Sequence, residues 1–138
     1  MFQVSPIQPQ PNVAGGTPPG AGQIHWHVSP DSAWEQCAAE RRPILTLFYT
    51  KGARTYPALE QILKTDASAQ QLVTSFIPLR VDVNQLMGGS LAQKFGVYRV
   101  PAFVVIGATG AVKGHVVFDE NTPWPSVASQ LQQVLATP

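Results

Sequence analysis

The chain has 138 residues, of which 44% are hydrophobic and 12% are charged, and its formal net charge is +1. This length fits one domain with a core of ordinary size. The balanced charge supplies no basic surface for nucleic acid, and no apolar run reaches the roughly 20 residues that span a bilayer.

Residues 1–23 differ from the rest of the chain because they contain five prolines and four glycines. Such a segment buries too little apolar surface to offset its ordering entropy, so we expect a proline-rich, flexible arm. The alternative is an arm that orders on a partner, for which Phe2, Val4, Ile7 and Val13 are the candidate anchors. Residues 24–138 form the predicted folded domain.

The first 30 residues carry no Lys, Arg, Asp or Glu, and prolines and glycines interrupt their apolar residues. A secretory signal needs a positive segment followed by an apolar one. If Met1 is the native start, a cytoplasmic location is therefore favoured.

Apolar periodicity predicts five helices and four strands in this domain. The first helix spans about residues 31–41, with Ala33, Trp34, Cys37 and Ala38 on its inner face. A buried strand at 44–50 and a helix at 55–64 follow. Next come a short helix capped by Thr65 or Asp66, a strand at 77–83, a turn at Gly88-Gly89 and a helix at 90–95. Strands at 102–106 and 112–118 precede a last helix capped by Thr122.

This order predicts an α/β domain whose mixed sheet has helices on both faces. Together with three local strings, it resembles the thioredoxin superfamily over residues 26–136. The strings are Trp26 followed by residues 31–43, then residues 76–83, and then Phe95-Gly-Val-Tyr-Arg-Val-Pro-Ala-Phe-Val-Val105. The resemblance implies a thioredoxin-like fold with about four to five strands and a cis peptide bond between Val100 and Pro101.

The active site of the family lies at the start of the helix that follows the first core strand, where two cysteines stand three positions apart. Alignment on Phe48 places Ala53 and Tyr56 at those positions, and Leu47 where many thioredoxins have a buried carboxylate. Disulfide exchange needs a thiolate and a second thiol that resolves the mixed disulfide. The resemblance therefore implies a redox-inactive protein, with no catalytic residue and no cofactor.

The same region supplies a candidate surface for a partner or peptide. In the family, the backbone before the cis-proline pairs with an extended substrate strand, which requires no cysteine. Tyr49, Arg54, Tyr56, Val100 and Pro101 are the candidate residues, because aromatics and arginine are enriched at interface anchors. The alternative is that Pro101 is only a retained fold element and that Tyr56 packs where the cysteines would lie.

Other reactive residues have simpler explanations. Cys37, the one cysteine, falls on an apolar helix face, where thiols are small inert hydrophobes. His25 and His27 would share one side of a strand and could join His115 around a metal, but a surface or locally hydrogen-bonded pair is favoured. Asp82 is predicted to be a solvated charge at a strand end, and no metal site is expected.

The sequence thus favours a non-catalytic thioredoxin-fold protein-interaction module that is a structural or accessory subunit of a larger assembly. Its arm, its cis-proline face or both would contact a protein partner, and no nucleic acid or membrane span is expected. One alternative is an adaptor or chaperone that binds peptides in the cis-proline groove. The other is a glutathione-type transferase that uses Thr55 or Tyr56 to activate a thiol.

Overall fold

A computed structural model describes residues 24–136, so the predicted arm at 1–23 lies outside the described residues. The helices are α1 (Pro30–Glu40), α2 (Tyr56–Thr65), α3 (Ala67–Thr74), α4 (Leu86–Lys94) and α5 (Trp124–Ala136). The strands are β1 (Ile44–Tyr49), β2 (Ile77–Asp82), β3 (Ala102–Ile106) and β4 (Val112–Val117). Within this part of the chain, no helix is long and apolar enough to cross a membrane.

The four strands form one mixed sheet in the order β2-β1-β3-β4. β1 pairs in parallel with β2 and antiparallel with β3, and β3 pairs antiparallel with β4. Outside β2, His27 forms a single parallel bridge with Leu79, which adds the beginning of a fifth strand. The predicted mixed sheet of four to five strands is confirmed.

Each face of the sheet is covered by its own helices, because successive side chains of a strand point to opposite faces. In β1, Ile44 and Phe48 pack with residues of α1 and α4, whereas Leu45 and Leu47 pack with residues of α2, α3 and α5. All four side chains are at most 1% exposed. β1 is therefore buried on both faces, as its uninterrupted apolar run predicts.

The inner face of α1 is narrower than predicted. Ala33 and Cys37 are buried, but Trp34 and Ala38 are exposed. Helical residues three and four positions apart share a face. Positions 33 and 37 therefore lie together against the sheet, and the adjacent positions 34 and 38 are turned towards solvent. The expectation that Trp34 and Ala38 face the core was wrong.

α4 begins at Leu86, so the predicted turn at Gly88-Gly89 is wrong and both glycines lie in a helix. An added Cβ on Gly88 would stand 2.0 Å from the carbonyl oxygen of Asp82. Glycine is therefore required here by close contact between the helix and the end of β2, not by a turn. Gly96, just beyond the helix, has a left-handed conformation with a φ of 70°, which glycine adopts without strain.

The two predicted helix caps have different outcomes. The Asp66 side chain accepts hydrogen bonds from the backbone N–H groups of Ser68 and Ala69, which confirms it as the N-cap of α3. Thr122 does not cap α5, because the first helical bonds run from Ser126 and Val127 to the carbonyl oxygen of Pro123. Pro123 therefore takes the position before the helix.

Candidate functional site

The candidate site lies where three loops meet at the start of α2. The hydroxyl of Thr55 donates a 3.3 Å hydrogen bond to the carbonyl oxygen of Phe118. The N–H of Phe118 donates a 3.0 Å bond to the carbonyl oxygen of Pro101. The peptide bond between Val100 and Pro101 is cis, as the sequence resemblance implies. The helix start and the cis-proline loop are thus brought together through the end of β4.

Tyr56 is the first residue of α2 and is only 4% exposed. Its ring stacks on that of Tyr49 with the centroids 5.0 Å apart, and its hydroxyl donates a 3.3 Å hydrogen bond to the Glu60 carboxylate. Burial, aided by the negative charge of Glu60, raises the pKa of Tyr56 to about 12. The candidate recognition residue Tyr56 is therefore packed inside the molecule, which agrees with the alternative that it fills the place of the cysteines.

The positions aligned with the cysteine pair lie in one tight turn. The N–H of Tyr56 donates a 3.1 Å bond to the carbonyl oxygen of Ala53, and the N–H of Ala53 donates one of the same length to Thr50. Leu47 is 1% exposed and belongs to the apolar cluster beneath α2. This corner of the molecule thus carries a methyl group, a buried phenol and an apolar side chain.

Charged side chains surround the entrance to this corner. Arg54 is exposed and forms an ion pair with Glu120, in the loop between β4 and α5. In the same loop, Asp119 accepts a 2.5 Å hydrogen bond from Arg99. Because the Arg54 pair is largely solvated, water screens it and a partner can compete for either charge.

The cis-proline loop leaves backbone groups open. Val100 is half-buried, and within residues 24–136 its N–H and C=O form no hydrogen bond. Pro101 is buried, whereas Tyr98 is 85% exposed. Of the five predicted site residues, Arg54 and the Val100 backbone are accessible, Tyr49 is partly covered by Tyr56, and Tyr56 and Pro101 are enclosed.

The histidines do not converge. The ring of His27 is held within hydrogen-bonding distance of Ser32, at 2.8 Å, and of Gln36, at 2.6 Å. His27 lies beside β2 at one edge of the sheet, and His115 lies on β4 at the opposite edge. Among the described residues, no group of three or more His, Cys, Asp or Glu could hold a metal ion. Cys37 is buried, as expected.

Arg80 is a further residue of this region that the sequence patterns did not single out, and it lies in β2, a mostly apolar strand. Its guanidinium lies 5.8 Å from the centroid of the Tyr49 ring, and its Nε is buried without a hydrogen bond to any described residue. The charge of Arg80 could have indicated it. In the string Ile-Pro-Leu-Arg-Val-Asp, all residues except this arginine and the final aspartate are typical of a buried strand.

No protein-family model and no curated protein matches the sequence. Solved structures of other proteins have a backbone fold similar to that of this chain. The oxidoreductase DsbH has 16% identity and a TM-score of 0.71, over 90% of this chain and 92% of its own. A putative disulphide-isomerase from Bacteroides thetaiotaomicron has 20% identity and a TM-score of 0.69, over 86% and 98%. A thioredoxin from Thermus thermophilus has 22% identity and a TM-score of 0.68, over 81% and 87%. The chain therefore has a thioredoxin-like fold.

Proposed function

We propose that this chain is a redox-inactive, non-catalytic protein-interaction module and serves as a structural or accessory subunit of a larger assembly. The observation that carries this proposal is Tyr56, whose buried ring occupies the position aligned with one of the two cysteines. Ala53 takes the other position, and neither side chain can form or attack a disulfide. The solved structures of similar fold are named as oxidoreductases, but their identity of 16–22% makes activity a separate question.

The partner is proposed to bind as an extended strand beside Val100. Open N–H and C=O groups on a half-buried residue favour this mode, since a partner backbone would satisfy both. Arg54 lies at the rim of this surface. An acidic group of the partner could replace Glu120 in the solvated ion pair that Arg54 forms. Residues 1–23 are proposed as a second contact. The alternative function, an adaptor that binds peptides in the cis-proline groove, would use the same surface.

No observation favours the glutathione-type transferase. A residue that activates a thiol must reach it, but the Tyr56 hydroxyl is buried and bonded to Glu60. A pKa raised to about 12 also makes this phenol less able to stabilise a negative charge at neutral pH. The hydroxyl of Thr55 is already bonded to Phe118.

The test is a peptide array probed with the full chain, followed by affinity measurements on the peptides that bind. We expect extended peptides to bind. N-methylation of the peptide nitrogens along one of its two edges should abolish binding, and N-methylation along the other edge should not, because a strand pairs with its neighbour through every second residue. Arg54→Ala should weaken binding about 5- to 10-fold.

Lys94→Ala is the matched control, since Lys94 is an exposed cation at the far end of α4 and should leave affinity unchanged. Binding that tolerates N-methylation on both edges would contradict strand pairing. An array without any bound peptide would refute the peptide-binding surface.

A further inference from the structure

A cavity lies on the α2 face of the sheet, and no residue of the cis-proline loop lines it. It has a volume of about 260 Å³ and runs between α2, β2 and the segment that precedes α1. Its apolar walls and its charged groups both come from the elements around it. The apolar and aromatic lining residues are Ile24, Trp26, Leu47, Tyr56 and Leu63, and the charged ones are Glu60, Lys64 and Arg80. A cleft that combines apolar walls with a few placed polar groups can hold a small molecule.

Arg80 is the feature that gives this cavity its chemistry. It pairs in register with Leu47, so its side chain lies on the same face as α2. Within residues 24–136 it forms no ion pair, and its Nε has no hydrogen-bond partner. Its guanidinium lies over the Tyr49 ring. A partly buried guanidinium without an anion has lost hydration without gaining a counter-charge.

The one carboxylate of the cavity is already engaged. Glu60 accepts the hydrogen bond of Tyr56 through one oxygen, and its other oxygen lies 3.9 Å from the ammonium of Lys64. Arg80 therefore stays without an anionic partner, and the cavity keeps an excess of one positive charge.

We propose that this cavity binds a small organic carboxylate with a flat apolar body. The planar guanidinium of Arg80 matches a carboxylate, which it can hold through two parallel hydrogen bonds. Trp26 and the aliphatic walls cover the body of the ligand. The volume limits the ligand to about the size of a single-ring acid. Tyr56 borders both places, but Arg80 and Trp26, which would hold the ligand, are not residues of the proposed interaction surface.

The experiment titrates the full chain with phenylacetate and follows the Arg80 Nε–H and Trp26 indole N–H resonances by NMR. We expect saturable shifts of both, with a dissociation constant of about 1 mM or lower. The neutral amide phenylacetamide should bind at least about tenfold more weakly, because it carries no charge for Arg80. Inorganic phosphate should shift Arg80 less than phenylacetate, since it has no apolar body.

Arg80→Gln should weaken phenylacetate binding about tenfold or more, whereas Arg99→Gln, at an exposed arginine outside the cavity, should leave it unchanged. If Arg80→Gln fails to fold, Glu60→Gln supplies the test: removal of the competing negative charge should strengthen binding about threefold. The proposal is overturned if neither resonance saturates by about 20 mM, if the amide or phosphate binds as well, or if Glu60→Gln weakens binding.

Discussion

Tyr56 is a large aromatic side chain that the fold accommodates at the start of α2. The ring stacks on Tyr49, and the hydroxyl is satisfied by Glu60 within the same helix. A buried aromatic of this size contributes to stability through apolar area and through the stacked pair. Tyr56 thus contributes packing at this position.

The buried hydroxyl gives a pH dependence at the alkaline end. The unfolded phenol titrates near its ordinary pKa of 10.0, whereas the folded pKa is raised to about 12. Between these values the folded state keeps a proton that the unfolded state has lost. The stabilisation is therefore complete below pH 10 and is lost as the pH rises through 12. We expect the unfolding free energy of the wild type to fall, relative to Tyr56→Phe, by about 1–2 kcal/mol between about pH 9 and pH 12.

Urea unfolding at several pH values measures this difference. Tyr98→Phe is the control, because Tyr98 is 85% exposed and its replacement should leave the pH profile of the wild type unchanged. Parallel profiles for the wild type and Tyr56→Phe would show that burial of this hydroxyl does not perturb its ionisation.

At the residue scale, alignment could predict which side chains replace the cysteine pair but not how they pack. The string around Tyr56 is compatible with an exposed aromatic at a helix start or with a buried one. Whether Tyr56 is buried depends on its contacts with Tyr49 and Glu60. Local sequence patterns do not predict those contacts. Arg80 was missed for a similar reason, because the cavity beside it is formed by elements distant in sequence.

Among the elements, the sequence predicts the start of α3 but not that of α4. Asp66 is one of the two predicted candidates for the cap of α3, and its carboxylate bonds the first free N–H groups of that helix. Gly88-Gly89 was interpreted as a turn because two glycines favour irregular backbone. The structure has them in a helix, where contact with β2 leaves no space for a side chain at Gly88.

Gly88→Ala should therefore destabilise the protein strongly. Its Cβ would stand 2.0 Å from the Asp82 carbonyl oxygen, a backbone atom that can move only if α4 shifts from β2. We expect a loss of about 3 kcal/mol or more in unfolding free energy, although alanine is the better helix former by about 1 kcal/mol.

The matched control for this contact is Gly52→Ala. An added Cβ on Gly52 meets nothing within 4 Å, so the substitution should change stability by less than about 1 kcal/mol. Denaturant unfolding of both variants makes the comparison. If Gly88→Ala is as stable as the wild type, the packing of α4 on β2 is looser than the structure indicates.

For the whole molecule, the order of elements predicts the layers but not every strand pairing. β1 and β2, joined through α2 and α3, pair in parallel, and a short turn after β3 makes β4 its antiparallel neighbour. α4 likewise separates β3 from β2, yet β3 runs antiparallel to β1, which the order alone does not predict. A sheet with helices on both faces then follows. Side-chain chemistry is independent of this argument, so the fold was predictable while the partner surface remains a proposal.

The scaffold still brings positions 53 and 56 close together, because the N–H of Tyr56 bonds the carbonyl oxygen of Ala53 across one turn. Residues at the ends of such a turn lie within about 7 Å between Cα atoms, near the range that a disulfide bridges.

Introducing a thiol at both positions therefore tests the proposal that the side chains of Ala53 and Tyr56 account for redox inactivity. In a Cys37→Ser background, the parent should reduce no insulin disulfide, whereas adding Ala53→Cys and Tyr56→Cys should give an internal disulfide and measurable turnover. Ala53→Cys alone is the control, since it lacks the resolving thiol. Circular dichroism must show that the double-cysteine variant is folded, because loss of the Tyr56 ring should lower the unfolding free energy by about 3–5 kcal/mol. Turnover by the parent would refute redox inactivity, and a folded pair that stays reduced in oxidant would refute the alignment of Ala53 and Tyr56.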